Sequence, residues 1–174
     1  MASFDVLLDR NARFAAGDAY CDVPIYPAGN VIVVTCLDPR TDPAAFLGLG
    51  PGEGAVIRNA GGRVTPTVLA DLAFVTYLSE RKLRPEGPLF EIAVVHHTQC
   101  GTHVLADDAF RQAFAAAVGE DVAASVGGAV TDPASTVRHD VDLLRASGLV
   151  SARGAVSGHV YDLDTGTVTT VVPA

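Results

Sequence analysis

The chain has 174 residues, with 12 Lys or Arg against 20 Asp or Glu, so its formal charge is −8 at neutral pH. That length suits a single domain with a sizeable core, and the acidic balance argues against a nucleic-acid partner because no basic patch is there to offset phosphate repulsion. Hydrophobic residues make up 49% of the chain and there is no Trp; an aliphatic core and apolar surface buried between subunits explain this equally well, and no apolar run approaches the ~20 residues of a membrane span.

Residues 1–30 read as an N-terminal helix and arm, and 31–174 as one α/β domain. Ser3 can cap an amphipathic helix over 4–16, with Phe4, Leu7, Leu8 and Phe14 near one face. No basic segment followed by a long apolar one begins the chain, so no signal peptide is expected. Residues 17–30 carry Gly17, Pro24, Pro27 and Gly29 and read as a connecting arm. The first strand is 31–35, and Asp42-Pro43 opens a short helix as cap and first-turn proline. Residues 55–59 form a second strand running into Ala60-Gly61-Gly62, and Thr65-Pro66 opens a long helix to about Leu83. Residues 91–96 are the third main strand. The Ala-rich stretch 107–128 is expected to be helical, with Gly127-Gly128 as its stop, and Asp132-Pro133 opens a helix to about Ala146. Residues 156–163 and 167–172 alternate enough to be strands joined by the turn Asp164-Thr165-Gly166. Strands alternating with helices predict an α/β fold: a mostly parallel central sheet flanked by helices, with a C-terminal added strand or hairpin and the N-terminal helical arm.

Two short clusters bear the chemistry. Cys36-Leu37-Asp38-Pro39-Arg40 follows the apolar run Val31–Thr35, and His97-Thr98-Gln99-Cys100-Gly101 follows Ile92–Val95. Both sit at the carboxyl end of an expected buried strand, and in an open parallel sheet those ends line a common crevice where ligands bind. A lone buried Cys is usually a small hydrophobe. The shared placement of Cys36, His97 and Cys100, just past strand ends, is what makes them a candidate zinc site. Two thiolates and one imidazole leave a fourth position for water, the pattern of a catalytic rather than a structural zinc, and zinc brings the pKa of bound water from ~15.7 to about 7. The reagent is then a metal-activated hydroxide. Three cysteines are too few, and odd in number, for a disulfide framework; thiolate ligands in a reducing cytoplasm are the consistent reading, with Cys21 a bystander.

Asp38 and Arg40 lie two apart on a segment that Pro39 keeps extended. An Asp held by Arg stays ionised and can accept a hydrogen bond from zinc-bound water; the plainer alternative is a surface ion pair worth ~0–1 kcal/mol. Gly61 and Gly62 let the backbone approach a ligand closely, and their amides, or that of Gly101, are candidates to hold a substrate oxygen. A tight strand-to-helix turn explains Gly61 and Gly62 equally well. Arg58 can orient a carbonyl or carboxylate in the crevice, or pair with a structural acid. His96 points to the other sheet face by strand alternation, and His103 reads as a solvated loop residue ahead of a proton shuttle.

Cys36-x-Asp38-x-Arg40, Ile57-Arg58-Asn59-Ala60-Gly61-Gly62, His96-His97-Thr98-x-Cys100-Gly101 and Gly158-His159-Val160-Tyr161-Asp162 together resemble the β-class carbonic anhydrases over about residues 30–163. The resemblance implies one zinc per chain on Cys36, His97 and Cys100, an Asp38–Arg40 dyad, and reversible hydration of carbon dioxide to bicarbonate by zinc-bound hydroxide. It also implies a homodimer or homotetramer with active sites at the subunit interface and the N-terminal helix packed on a neighbour. Pro39 and Gln99 depart from the family pattern, which has a small residue and commonly an Asp there. Relatives on the same scaffold hydrolyse carbonyl sulfide or carbon disulfide, and these linear substrates are the alternative. A zinc-stabilised oligomer without catalysis is a third reading.

Overall fold

The continuous apolar runs pair where side chains can be buried on both faces. In the computed structural model, which describes residues 4–17 and 20–174, β1 (Val31–Cys36), β2 (Gly54–Asn59), β3 (Glu91–His97), β4 (Ala155–Tyr161) and β5 (Val168–Val172) form one sheet of order β2-β1-β3-β4-β5. The first four strands are parallel, and β5 pairs antiparallel with β4. This is the expected α/β architecture with its C-terminal hairpin. Every residue of β3 after Glu91 is buried, as are the last five of β1, which is why both read as unbroken apolar runs.

One face of the sheet carries the main core. Ile32, Val34, Ile92, Val94 and Val156 pack against Val68 and Leu72 of α3 (Pro66–Leu78) and against Val137, Val141 and Leu144 of α6 (Pro133–Ala146). Both helices start as their sequences dictate. The Thr65 hydroxyl accepts from the Val68 amide, the Asp132 carboxylate accepts from the amides of Ala134 and Ser135, and a proline follows each cap. The opposite face has thinner cover. The short helix α2 (Pro43–Phe46), capped by Asp42, stacks Phe46 on Tyr161 with ring centroids 4.4 Å apart.

Two expectations need adjustment. The helix opened by Pro66 ends as α-helix at Leu78 and widens into a π-type turn over Ser79–Leu83, where the Arg84 amide donates to the Ser79 carbonyl at 2.6 Å and the Ser79 hydroxyl donates back to the Val75 carbonyl at 2.8 Å. The Ala-rich stretch is two helices, α4 (Asp108–Val118) and α5 (Glu120–Ala124), because Gly119 takes φ +93° and ψ 147° between them. The N-terminal helix α1 (Phe4–Ala15) forms but buries none of its residues; its expected cap, Ser3, lies outside the described residues. Among the described residues, no helix is long and apolar enough to cross a membrane.

Candidate metal centre

Parallel pairing brings the ends of β1 and β3 side by side. Thr35 is level with Val95, so Cys36 is one step further along, beside the two histidines that end β3. Cys36 and His97 are thus the last residues of their strands rather than loop residues past them. Cys100 follows a left-handed residue, Gln99 at φ +57°, which turns the chain back toward the sheet. The ligand atoms of Cys36, His97 and Cys100 all lie within 4.8 Å of one another, and all three residues are buried. The two sulfurs are 4.0 Å apart, close to the roughly 3.8 Å that two tetrahedral bonds of about 2.3 Å would set.

The histidine is prepared in the same sense. His97 Nδ1 sits 2.9 Å from the Thr98 carbonyl and donates its proton there, which leaves the Nε2 lone pair free. Nε2 is buried and has no hydrogen-bond partner, an arrangement that costs free energy unless something electrophilic meets it. Two sulfurs and an orphaned imidazole nitrogen fit a zinc ion. Without a cation the sulfurs compete for one proton. The Cys36 thiol is pushed up, first by its hydrogen bond to Cys100 and then by burial. Cys100 is drawn down to about 3 by the same bond and, against burial, by the neighbouring His97 ring and then by the hydroxyl and amide of Thr102. Such a pair is primed for a divalent cation in place of the shared proton.

Asp38 and Arg40 are together, on a turn rather than an extended segment. The Thr41 amide donates to the Asp38 carbonyl at 3.0 Å, and the Arg40 amide donates to Asp38 Oδ1 at 2.9 Å, closing an Asx-type turn. The guanidinium grips the carboxylate twice, Nε to Oδ1 at 2.9 Å and Nη2 to Oδ2 at 2.7 Å. These bonds, the side-chain ones foremost, hold the Asp38 carboxyl down at about 2. Arg40 Nη2 also donates to the Gln99 carbonyl at 3.1 Å, so it ties the two ligand-bearing loops together.

Arg58 is engaged by backbone carbonyls rather than by a structural acid. Its Nε donates to the Cys36 carbonyl at 2.9 Å and its Nη2 to the Asp38 carbonyl at 2.6 Å, so it braces the backbone of the ligand loop. The glycines also have local tasks. The Gly61 amide is directed at the Cys36 sulfur, and Gly61 takes φ +81°. Gly62, at φ +67°, lies so close to β1 that a Cβ there would be 2.8 Å from the Cys36 nitrogen. Gly101 is exposed, with open space beside it. His103 is exposed with Nδ1 2.8 Å from the Cys100 carbonyl, and Cys21 is exposed and outside the cluster.

Two supports escaped the sequence. Asp140 of α6 is fully buried and accepts from Arg63 Nε at 2.8 Å, Arg63 Nη2 at 2.9 Å and the Val64 amide at 2.9 Å. Its carboxylate also lies 3.4 Å from His96 Nε2, so it links α6 to the glycine loop and to the residue before His97. An acid within the stripe Val137, Val141, Leu144 was the available signal. The second is Thr102, whose hydroxyl lies 3.2 Å from Cys100 Sγ; a threonine in a polar loop gives no such signal.

Fold and donor set define an α/β protein with a buried Cys-His-Cys cluster at its strand ends that could hold a metal ion. Residues 31–127 match the family model described as carbonic anhydrase. The chain is 32% identical over 173 residues to beta-carbonic anhydrase 1 of Mycobacterium tuberculosis, across 99% of this chain and all of the relative. The crystal structure of a carbonic anhydrase from Streptococcus mutans shares its fold with a TM-score of 0.79 at 34% identity, across 98% of each chain. A carbon disulfide hydrolase of Acidianus sp. is 36% identical over 69 residues, 40% of this chain and 30% of that protein. The chain belongs to the beta-carbonic anhydrase family and is an enzyme of the carbonate dehydratase class. That membership sets aside the reading without catalysis.

Proposed function

We propose that this chain binds one zinc through Cys36, His97 and Cys100 and catalyses the reversible hydration of carbon dioxide to bicarbonate. The observation that carries the reading is the buried cluster itself: two sulfurs and an orphaned imidazole nitrogen beside a carboxylate locked by Arg40. Bound zinc supplies Lewis acidity that makes water a nucleophile near neutral pH. The chain's residues supply orientation. An ionised Asp38 accepts a hydrogen bond and donates none, so it would accept one from an attacking water and turn the oxygen lone pair toward the substrate carbon. Arg40 fixes the carboxylate in that role and would keep it from ligating a bound metal. The exposed Gly101 amide is the better candidate of the three glycines for a substrate oxygen, since the Gly61 amide faces the Cys36 sulfur and Gly62 packs on β1.

Stopped-flow measurement of proton release on carbon dioxide addition tests the assignment. Zinc-loaded protein is expected to exceed background by orders of magnitude across pH 7–9, and a background rate would refute it. Arg40→Ala is expected to keep zinc but lose most turnover, with Asp38 on the metal. The partial likeness to a carbon disulfide hydrolase supports carbon disulfide or carbonyl sulfide as a second substrate class, and hydrogen sulfide release in a headspace assay discriminates. We further propose a cytoplasmic homodimer or homotetramer assembled through α1 and the arm, in keeping with three free cysteines and an apolar helix that buries nothing.

A further inference from the structure

We propose that Thr102 is a positioning residue of the metal centre, whose hydroxyl donates to the Cys100 sulfur and limits how much charge that thiolate gives to the metal. The inference rests on the zinc reading above. Thr102 Oγ1 lies 3.2 Å from Cys100 Sγ, and a metal-bound thiolate carries no proton, so the hydroxyl is the donor. A second contact holds it in that sense. The Val130 amide donates to the same oxygen at 3.3 Å, which fills an acceptor position and leaves the hydroxyl proton for sulfur.

The hydroxyl is also confined. Val130 packs with Cys36 and Cys100 in a small buried cluster. A Cβ at Gly61 would come within 3.1 Å of Thr102 Oγ1 and 3.3 Å of Val130 Cγ2, so the glycine loop closes on Thr102 from the other side. The two sulfurs differ in what reaches them. Cys36 receives backbone donors, the Asp38 amide at 3.4 Å and the Gly61 amide. Cys100 receives a side-chain hydroxyl as well.

The consequence is electronic. A hydrogen bond to a thiolate stabilises its lone pairs and reduces the charge it donates, and such outer contacts tune a metal as much as they orient its ligands. Two thiolates formally cancel a divalent charge, which blunts the metal's acidity. A donor on one sulfur restores part of it. Thr102 thus acts through Cys100 and does not touch substrate.

The test uses the cobalt(II)-substituted protein, in which thiolate-to-metal charge transfer reports the sulfur electrons directly. Thr102→Val replaces the hydroxyl with a methyl of similar shape, and Thr102→Ala removes it without adding bulk should the Val variant fold poorly. Both are expected to move the charge-transfer band to longer wavelength, while Thr102→Ser keeps it in place. The pH midpoint for carbon dioxide hydration should rise in the Val and Ala variants and stay in place in the Ser variant. A band unmoved in both Val and Ala variants, or a Ser variant that behaves like them, overturns the proposal and leaves the zinc reading standing. A wild-type protein that takes up no cobalt and no zinc overturns the zinc reading instead.

Discussion

α6 lays Val137, Val141 and Leu144 against the sheet and is covered by its own chain, whereas α1, with an apolar stripe of its own, leaves Phe4, Leu7, Leu8 and Phe14 exposed, Phe4 to 71%. An isolated amphipathic helix of this length is marginal in water without a surface to pack on. The contrast teaches that α6 finds cover within its own chain and α1 does not; Phe74 and Tyr77 of α3 are likewise exposed, at 67% and 63%. In the reading proposed here the cover for α1 is a second copy.

Substitution within each helix gives the largest expected difference. Leu144 is fully buried, and Leu144→Ala should cost about 2–5 kcal/mol. Leu8→Ala should stay within about 0.5 kcal/mol, provided both are measured by urea unfolding at concentrations where the subunits are apart. Equal costs would break the comparison.

Acid sharpens it next. Burial pushes the Asp140 carboxyl up, but the hydrogen bonds from Arg63, His96 and the Val64 amide outweigh it and hold the group at about 2, below its ordinary 3.8. The stabilisation is therefore complete above about pH 4 and lost as pH falls through about 2. It amounts to about 2 kcal/mol and belongs to α6 and the glycine loop. Asp140→Asn should remove this part of the acid dependence of unfolding free energy. An unchanged acid limb in that variant would show that the buried pair contributes no linkage.

The smallest effect on the stability of a separated chain, and the clearest on assembly, should come from deleting residues 1–25. Sedimentation velocity is expected to show weakened association with little change in the unfolding of the dissociated body. An unchanged oligomer would place the interface elsewhere.

The same contrast explains what the sequence disclosed. β1 and β3 were legible because both faces are buried and their runs are continuously apolar. α2 and α6 were legible from Asp-Pro starts that satisfy first-turn amides locally. The break at Gly119 was not, since a lone glycine in an Ala-rich stretch is tolerated within a helix at a cost of ~1 kcal/mol. The candidate ligands stood out because a cysteine and a histidine end two buried strands. The Asp38–Arg40 contact followed from spacing, though its turn geometry did not. What stayed hidden depends on contacts distant in sequence. Arg58 reaches back 22 residues to the Cys36 carbonyl, Arg63 reaches 77 residues to Asp140, and Thr102 meets the Val130 amide across 28. The Gly61 amide faces a sulfur instead of open crevice, which local pattern does not encode.

The central claim is that two cysteines and one histidine of this chain hold a catalytic zinc. X-ray absorption at the zinc edge of the purified, dialysed protein tests it most directly. The account predicts one zinc per chain, with two sulfur scatterers at about 2.3 Å and a histidine nitrogen at about 2.0–2.1 Å. Cys21→Ser should leave that shell unchanged, and Cys100→Ser should remove a sulfur from it or empty the site. A zinc shell without sulfur, or one altered by Cys21→Ser in a folded protein, would contradict the account.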